Sequence, residues 1–249
     1  VPSALSAFAG DFVVATAGPD LESILAARGA GADEYSREHH ARVLHFDIGG
    51  GTSNLALYDC RELLATGCFN VGGRLVKVDR EGRITYLSPV VRRWMEHRQG
   101  SAPLTPGQAA RPESFAPLVE DMADTLAQAA GLAPPTPLLD LFRTAGTAWT
   151  PPERVDAVSF SGGVADCIFS PPESPFAYED LGVLLGRAIA ASPRFRGAER
   201  LRGAETIRAT VVGAGSHSTS LSGSTIFHRG VAFPLKNLPI LKLSAREEQ

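Results

Sequence analysis

The sequence predicts an α/β fold, in which helices pack against a mixed β-sheet. Two apolar, β-favouring runs, 43–48 and 54–59, flank a glycine-rich turn and predict a buried β-hairpin. Apolar residues recur at helical spacing in 119–130, and a later β-favouring run, 155–160, leads into a glycine pair. Strands that alternate with helical patterns in this way indicate a layered α/β lobe.

The residues before the hairpin predict a short strand and a helix. The strand is the apolar run 12–16, and Pro19 then opens a helix. The polar stretch 32–42 predicts an exposed loop. Two adjacent histidines in that stretch, His39 and His40, fit an exposed loop better than a metal site.

The elements that follow the hairpin divide into two groups. The first group begins with a third strand (62–71) and a second hairpin (74–79 with 83–87), followed by a helix capped by Ser88. A flexible loop (100–117) then leads into a helix that ends at Gly131. The last element of this group is a short helix carrying Leu138, Leu141 and Phe142. The second group is a strand (155–160), a helix (180–191), a charged segment (194–208), a strand (209–212), a loop or helix start (215–225) and strands in 226–242.

The turn of the first hairpin predicts a phosphate site. It consists of Gly49, Gly50, Gly51, Thr52 and Ser53. Successive glycines allow several backbone N–H groups to converge on an anion, and the two hydroxyl residues add further donors. Asp47 closes the first strand beside the turn, where a carboxylate can hold Mg²⁺ through water. A tight turn without a ligand is the alternative, but it accounts less well for the whole combination.

Two familiar phosphate-binding motifs are excluded. A P-loop needs Gly-Lys followed by Ser or Thr at the start of a helix, and no lysine lies near this turn. A dinucleotide fingerprint needs its third glycine to open a helix, whereas this chain continues as a strand.

Composition limits the function classes. The chain has 249 residues, 44% of them hydrophobic, and a formal net charge of −3, which gives no indication of nucleic-acid or membrane binding. Three cysteines, Cys60, Cys68 and Cys167, lack CxxC spacing and predict reduced cytosolic thiols. Because the sequence begins at Val1 without Met, inside what looks like folded sequence, we expect it to be a fragment.

The motif Asp-x-Gly-Gly-Gly-Thr between two strands resembles the second phosphate hairpin of the actin, Hsp70 and sugar-kinase superfamily. That resemblance implies a ribonuclease H-like ATPase lobe. Three longer phrases, 10–19, 70–75 and 220–226, resemble the ethanolamine ammonia-lyase reactivating factor family. The resemblance runs over nearly the whole chain.

The resemblance implies an ATP-dependent, chaperone-like factor that acts on adenosylcobalamin-dependent ethanolamine ammonia-lyase. With ATP and Mg²⁺, it would release damaged cobalamin so that intact cofactor can bind. The implied location is the cytoplasm, with association with a bacterial microcompartment left open. The residues implied to hold the phosphates and Mg²⁺ are Asp47, Gly49, Gly50, Gly51 and Thr52, with Asp47 at the metal. Gly162, Gly163, Gly213 and Gly215 would flank the adenosine. Ser53, Gly72 and Gly73 are the other residues implied to bind the nucleotide.

The resemblance also implies a division of the chain. Residues 1–42 would be the end of a first lobe and its connecting helix, 43–215 a nucleotide-binding second lobe with a helical insertion at about 88–150, and 216–249 the start of a C-terminal segment. The first lobe, with its own phosphate loop, is not in this sequence. The chain would therefore carry one wall of the nucleotide cleft.

One departure from the superfamily pattern affects the chemistry. Asn54 stands where Hsp70-like enzymes place an Asp that acts as general base or positions water. Because an amide cannot accept a proton, we expect hydrolysis to be slow or to depend on another carboxylate. A non-hydrolysing, nucleotide-gated scaffold for the lyase is therefore an alternative, while a sugar kinase finds little support. The sequence does not indicate the oligomeric state.

Overall fold

A five-stranded mixed sheet lies at the centre of the computed structural model, which describes residues 19–98 and 103–216. Its strands are β1 (Arg42–Ile48), β2 (Ser53–Asp59), β3 (Glu62–Phe69), β6 (Ala157–Ser161) and β7 (Glu199–Arg202). The spatial order is β3-β2-β1-β6-β7. The first three strands are antiparallel, whereas β6 and β7 continue the sheet in parallel with β1. The predicted α/β lobe with a mixed, ribonuclease H-like sheet is confirmed.

The first hairpin forms as predicted, with the glycines in its turn. Asp47 pairs with Asn54 and Ile48 with Ser53, so the glycines occupy the turn between them. The second hairpin joins β4 (Val76–Val78) to β5 (Ile84–Leu87) in a separate two-stranded sheet.

Helices cover both faces of the large sheet. The helices are α1 (Pro19–Gly29), α2 (Ala32–Glu38), α3 (Pro89–His97), α4 (Pro112–Ala129), α5 (Pro137–Phe142), α6 (Ala165–Phe169), α7 (Gly182–Ala191) and α8 (Ala209–Ser216). Short 3₁₀ turns occupy Gly73–Leu75 and Pro193–Gly197.

The larger core lies on the face of the sheet that carries Leu44, Phe46 and Ile48, where α4 and α7 supply apolar side chains such as Met122 and Leu185. A smaller cluster on the opposite face joins Val43 of β1 to the first two helices through Ala27 and Ala32. Because successive side chains of β1 point to opposite faces, the odd-numbered residues 43, 45 and 47 share the face that α1 and α2 cover.

Several local predictions are confirmed by the structure. Ser88 accepts a hydrogen bond from the Val91 N–H at 3.4 Å and caps α3, with Pro89 at the first helical position. The short helix and the helix before Gly131 also form as expected.

Three local predictions are wrong. The stretch 32–42 is not a loop, because it contains α2, in which Asp33 and Ser36 are buried. The flexible loop predicted for 100–117 is already helical from Pro112. The strand predicted at 209–212 is α8, a helix that packs against α1. The sequence analysis also missed α6 and β7.

Two sets of predictions lie outside the described residues: the strand at 12–16 and the segments after residue 216, with the phrase 220–226 among them. The described residues belong to one compact unit, 18–217. The division of the chain at residue 42 and the helical insertion at about 88–150 stay predictions. None of the helices in the described part of the chain is long and apolar enough to cross a membrane.

Candidate functional site: three glycine turns around a carboxylate

The turn of the first hairpin presents unpaired backbone donors. It is closed by the Gly49 N–H, which donates to the Thr52 carbonyl at 2.9 Å. Within the described residues, the N–H groups of Gly50, Gly51 and Thr52 have no acceptor. Because an unpaired N–H is costly unless water or a ligand satisfies it, three such donors on one turn suit an anion.

A second glycine turn follows β3 and is held against the first by backbone hydrogen bonds. The Gly73 N–H donates to the Gly49 carbonyl at 3.1 Å, and the Arg74 N–H donates to the Gly50 carbonyl at 2.6 Å. A Cβ on Gly72 would lie 2.5 Å from the Gly50 carbonyl oxygen, so only glycine permits this approach. The two turns therefore form one rigid backbone unit.

The third glycine turn follows β6. Gly162 has a φ of +84°, and a Cβ there would lie 2.4 Å from the Ile48 carbonyl oxygen. Val164 N–H donates to that same carbonyl at 3.2 Å, which ties the turn to the end of β1. Gly163, by contrast, has open space where a Cβ would stand. Bare backbone at this position allows a flat ligand to lie against it.

The three turns border a cavity of about 370 Å³. Its lining residues are Gly49, Gly50, Gly73, Arg74, Gly163, Val164, Asp166, Tyr178, Asp180, Gly182 and Ile207. The structure thus brings together glycines from three sequence regions that the sequence analysis had named separately. A larger groove, of about 890 Å³, lies between α4 and α7, and none of the three turns lines it.

Asp47 lies beside the first turn in a row of polar side chains. In the sheet register it stands opposite Asn54 on one side and Ser161 on the other. The Ser161 hydroxyl donates to Asp47 Oδ1 at 2.6 Å. Burial raises the pKa of the Asp47 carboxyl; the Ser161 hydrogen bond opposes that shift, and the nearby Glu22 charge adds to it.

Glu22 is a site residue that the sequence analysis missed. It lies in the first turn of α1, and its Oε2 accepts a hydrogen bond from Asn54 Nδ2 at 3.3 Å. The side chain is exposed. Its contact with Asn54 and its electrostatic effect on Asp47 place a second carboxylate at the site. Only an acidic residue in a helix first turn was visible in the sequence, and such residues are common.

Arg74 and Asp180 were also not predicted from the sequence as site residues. They line the cavity as a pair, with Arg74 Nε 3.6 Å from Asp180 Oδ2. Asp180 Oδ1 accepts a hydrogen bond from the Gly182 N–H at 2.7 Å, at the start of α7. Burial raises the pKa of Asp180, whereas the Gly182 N–H and the Arg74 charge act in the opposite direction. This wall of the cavity therefore carries both signs of charge.

Of the predicted site residues, Gly49, Gly50, Gly73 and Gly163 line the cavity. Asp47, Gly51, Thr52, Asn54, Gly72 and Gly162 lie in the same turns or beside them without lining it, and Ser53, Gly213 and Gly215 do not line it either. The Ser53 hydroxyl is buried and donates to the Val71 carbonyl at 2.7 Å, so it serves the fold of the turn. Gly213 lies on α8, where a Cβ would come within 1.8 Å of the Leu25 carbonyl oxygen in α1. Gly215 lies on the same helix, and a Cβ there would meet open space. For these two glycines, a place beside adenosine stays a prediction.

The residues present fit a nucleotide with a hydrated cation. The unpaired N–H donors of the first turn suit phosphate oxygens, and the bare backbone at Gly163 suits a flat base. Among the described residues, no group of three or more His, Cys, Asp and Glu side chains forms a metal cage. Asp47, with Glu22 as a second carboxylate nearby, instead suits Mg²⁺, which keeps several waters and uses one or two carboxylates together with substrate phosphates.

Comparison with known proteins gives a consistent family match. The family described as "Ethanolamine utilisation protein EutA" matches residues 1–249. A curated relative in Salmonella typhimurium, named ethanolamine ammonia-lyase reactivase EutA, is 41% identical over 239 residues, which cover 95% of this chain and 50% of the relative. Its counterpart in Escherichia coli is 42% identical over 242 residues, with the same shares of 95% and 50%. The chain therefore spans about half the length of the curated relatives that it matches.

Solved structures with a similar fold are more distant in sequence. A Ppx/GppA family member from Aquifex aeolicus is 12% identical with a TM-score of 0.46, and the alignment covers 87% of this chain and 70% of that one. The ethanolamine utilization protein EutJ from Carboxydothermus hydrogenoformans is 17% identical with a TM-score of 0.35, over 77% of this chain and 52% of that one.

Proposed function

The chain belongs to the family of the ethanolamine utilisation protein EutA, and we propose that it is the nucleotide-binding part of an ATP-dependent factor that reactivates ethanolamine ammonia-lyase. The names of the two curated relatives support the lyase as the target. The proposal extends to the location, which would be the cytoplasm, with association with a bacterial microcompartment.

One observation carries the proposal: the convergence of three glycine turns and one carboxylate at the same end of β1. The N–H groups of Gly50, Gly51 and Thr52 would donate to the phosphates, and the turn at Gly162 and Gly163 would support the adenosine. Backbone hydrogen bonds fix the first turn to the second and the third turn to the end of β1, so the donors are oriented before the ligand arrives.

Asp47 is the proposed contact for Mg²⁺, through water. Bound Mg²⁺ would neutralise part of the phosphate charge and orient the terminal phosphate. Asp47 must be ionised for this role. Although its burial favours the neutral acid, the Ser161 hydrogen bond stabilises the carboxylate.

Glu22 is the proposed group that positions the attacking water. Asn54 cannot accept a proton, but it donates to Glu22 Oε2 and so fixes that carboxylate at the site. Within the described part of the chain, no hydrogen bond reaches the other Glu22 oxygen, so it would be available for a water molecule. This arrangement would supply the other carboxylate on which hydrolysis was expected to depend, and it favours a slow ATPase over a purely structural nucleotide site.

We further propose that nucleotide binding and hydrolysis drive release of damaged cobalamin from the lyase, so that intact adenosylcobalamin can enter. The chain's contribution would be to bind and release phosphate as the two sides of the nucleotide cleft close and open. The second candidate is a scaffold that binds nucleotide without hydrolysis, and Asn54 at the expected base position favours it.

ATP turnover by the intact protein, measured with and without the lyase, separates these candidates. The proposal predicts Mg²⁺-dependent release of inorganic phosphate that parallels recovery of lyase activity. Recovery that proceeds equally well with a non-hydrolysable ATP analogue, with no phosphate release from ATP, would support the scaffold. Recovery without any nucleotide would contradict both.

A further inference from the structure

His45 is a fully buried imidazole at the centre of the sheet, and the proposed chemistry leaves it without a role. It lies on β1 two residues before Asp47, so both side chains face the same side of the sheet. The ring is fully buried and both of its nitrogens lie against neutral hydroxyl groups, so its surroundings favour the neutral imidazole. A neutral imidazole has one N–H donor and one acceptor nitrogen, and their assignment depends on the neighbours.

The neighbours of His45 are two serines from the adjacent parallel strand. His45 Nδ1 lies 3.1 Å from Ser159 Oγ, and His45 Nε2 lies 2.9 Å from Ser161 Oγ. Ser161 in turn donates to Asp47 Oδ1 at 2.6 Å. The strand register produces this chain of contacts, because Ser159 stands opposite His45 and Ser161 stands opposite Asp47.

The number of protons fixes the direction of every hydrogen bond in this chain. An ionised carboxylate only accepts, so the single Ser161 proton points at Asp47. Ser161 Oγ must then accept from His45, which places the imidazole proton on Nε2. Nδ1 is left as an acceptor, and the Ser159 hydroxyl donates to it.

We propose that His45 is a positioning residue for Asp47: through its Nε2–H it holds the Ser161 hydroxyl on Oδ1 and leaves Oδ2 to face the hydrated Mg²⁺ of the bound nucleotide. Among the described residues, no side chain donates to Oδ2. Without the imidazole donor, the Ser161 hydroxyl could rotate to another acceptor, and the carboxylate would lose its orientation. Loss of a group that hydrogen-bonds to a metal-binding side chain, without itself contacting the metal, commonly lowers metal affinity by 10- to 100-fold.

This inference rests on the proposed nucleotide site, but its first test does not. Nitrogen-15 NMR of the histidine side chains in the intact protein, without nucleotide, reports which ring nitrogen carries the proton. The His45 signal is assigned by its loss in His45→Gln. We expect the Nε2–H form; a proton on Nδ1 would overturn the proposal.

The second test compares two substitutions that differ by one methylene group. The Gln amide nitrogen reaches the place of Nε2 and can still donate to Ser161, whereas the Asn amide reaches only the place of Nδ1. ADP affinity of the intact protein is measured by calorimetry with saturating Mg²⁺ and with EDTA. We expect the Mg²⁺-dependent gain in affinity to fall by about 10- to 100-fold in His45→Asn and to be largely restored in His45→Gln.

Two further variants make the outcome decisive. Thr125→Val removes a buried hydroxyl that donates to the Asp121 carbonyl at 2.7 Å within α4, and we expect it to leave the Mg²⁺-dependent gain unchanged. If His45→Asn does not fold, Ser161→Ala takes its place and should lose the same gain. The proposal would be overturned if the variant that folds, His45→Asn or Ser161→Ala, showed the same Mg²⁺-dependent gain in ADP affinity as wild type. Absence of ADP binding in wild type would instead overturn the proposed nucleotide site, whatever the tautomer.

Discussion

Asn54 donates a hydrogen bond to Glu22, with Nδ2 and Oε2 3.3 Å apart, and so links β2 to α1, the helix that packs on one face of the sheet. The contact places an exposed carboxylate beside Asn54 and the glycine turn. We propose that Glu22 takes the role of general base that an amide cannot fill.

Glu22→Gln should therefore slow ATP turnover by the intact protein by about 10²- to 10⁴-fold, the range for loss of a general base, while nucleotide affinity changes little. Asp20→Asn is the matched control. Asp20 lies in the same helix turn, but its carboxylate accepts from the Thr66 hydroxyl at 2.6 Å, so turnover should stay near that of wild type. Equal turnover in Glu22→Gln and wild type would remove Glu22 from the reaction.

Asp47→Ala should abolish Mg²⁺- and ATP-dependent reactivation of the lyase by the intact protein and leave the fold intact. The physical reason is that the carboxylate is the proposed anchor for the hydrated cation. Thermal unfolding without ligand is the control. Because burial raises the pKa of Asp47, its charge does not favour the folded state, and we expect no large fall in melting temperature. A large fall would indicate that Asp47 serves the turn structurally.

The adjacent glycines after β6 should respond differently to alanine. Gly162→Ala puts a side chain at a φ of +84° and within 2.4 Å of a carbonyl oxygen, so it should destabilise the protein by about 2 kcal/mol or more. Gly163→Ala meets open space and should keep the melting temperature, but its methyl group enters the cavity and should weaken ATP binding. Chemical denaturation and ATP titration of both variants check this. Equal stability losses would contradict the local geometry.

The chain of 249 residues, taken alone, should bind Mg²⁺-ATP about 10³-fold more weakly than the intact protein. It spans about half the length of its curated relatives, so we expect the opposite wall of the cleft to come from the remainder. Loss of three charge-assisted hydrogen bonds at about 1.5 kcal/mol each corresponds to that factor. Parallel calorimetric titrations test it. Equal affinities would place the whole site within residues 1–249.

Much of the fold was predictable because its signals are local. The first hairpin follows from two β-favouring runs around three glycines, and the start of α3 follows from Ser88 and Pro89. The strand at 209–212 was predicted because β-branched residues such as Val211 and Val212 favour strands. The prediction was wrong because the segment forms a helix that Gly213 allows to approach α1 closely, and this tertiary contact is not visible in the local sequence.

The site was less predictable than the fold, because partners far apart in sequence complete it. The glycines of the first turn and Asp47 could be predicted as site residues because they are neighbours in one short sequence motif. No local sequence pattern marks Glu22 as a site residue, because its contact with Asn54 depends on how α1 packs against the strands. His45 was not predicted as a functional residue, because its partners Ser159 and Ser161 lie more than a hundred residues away in the sequence.

We propose that the three glycine turns hold the phosphates of a nucleotide beside Asp47. The most direct test is a crystal structure of the intact protein with Mg²⁺ and a non-hydrolysable ATP analogue. We predict phosphate oxygens about 2.7–3.2 Å from the backbone nitrogens of Gly50, Gly51 and Thr52, with the hydrated cation beside Asp47. Nucleotide bound in the groove between α4 and α7, with the glycine turns facing solvent, would contradict the claim.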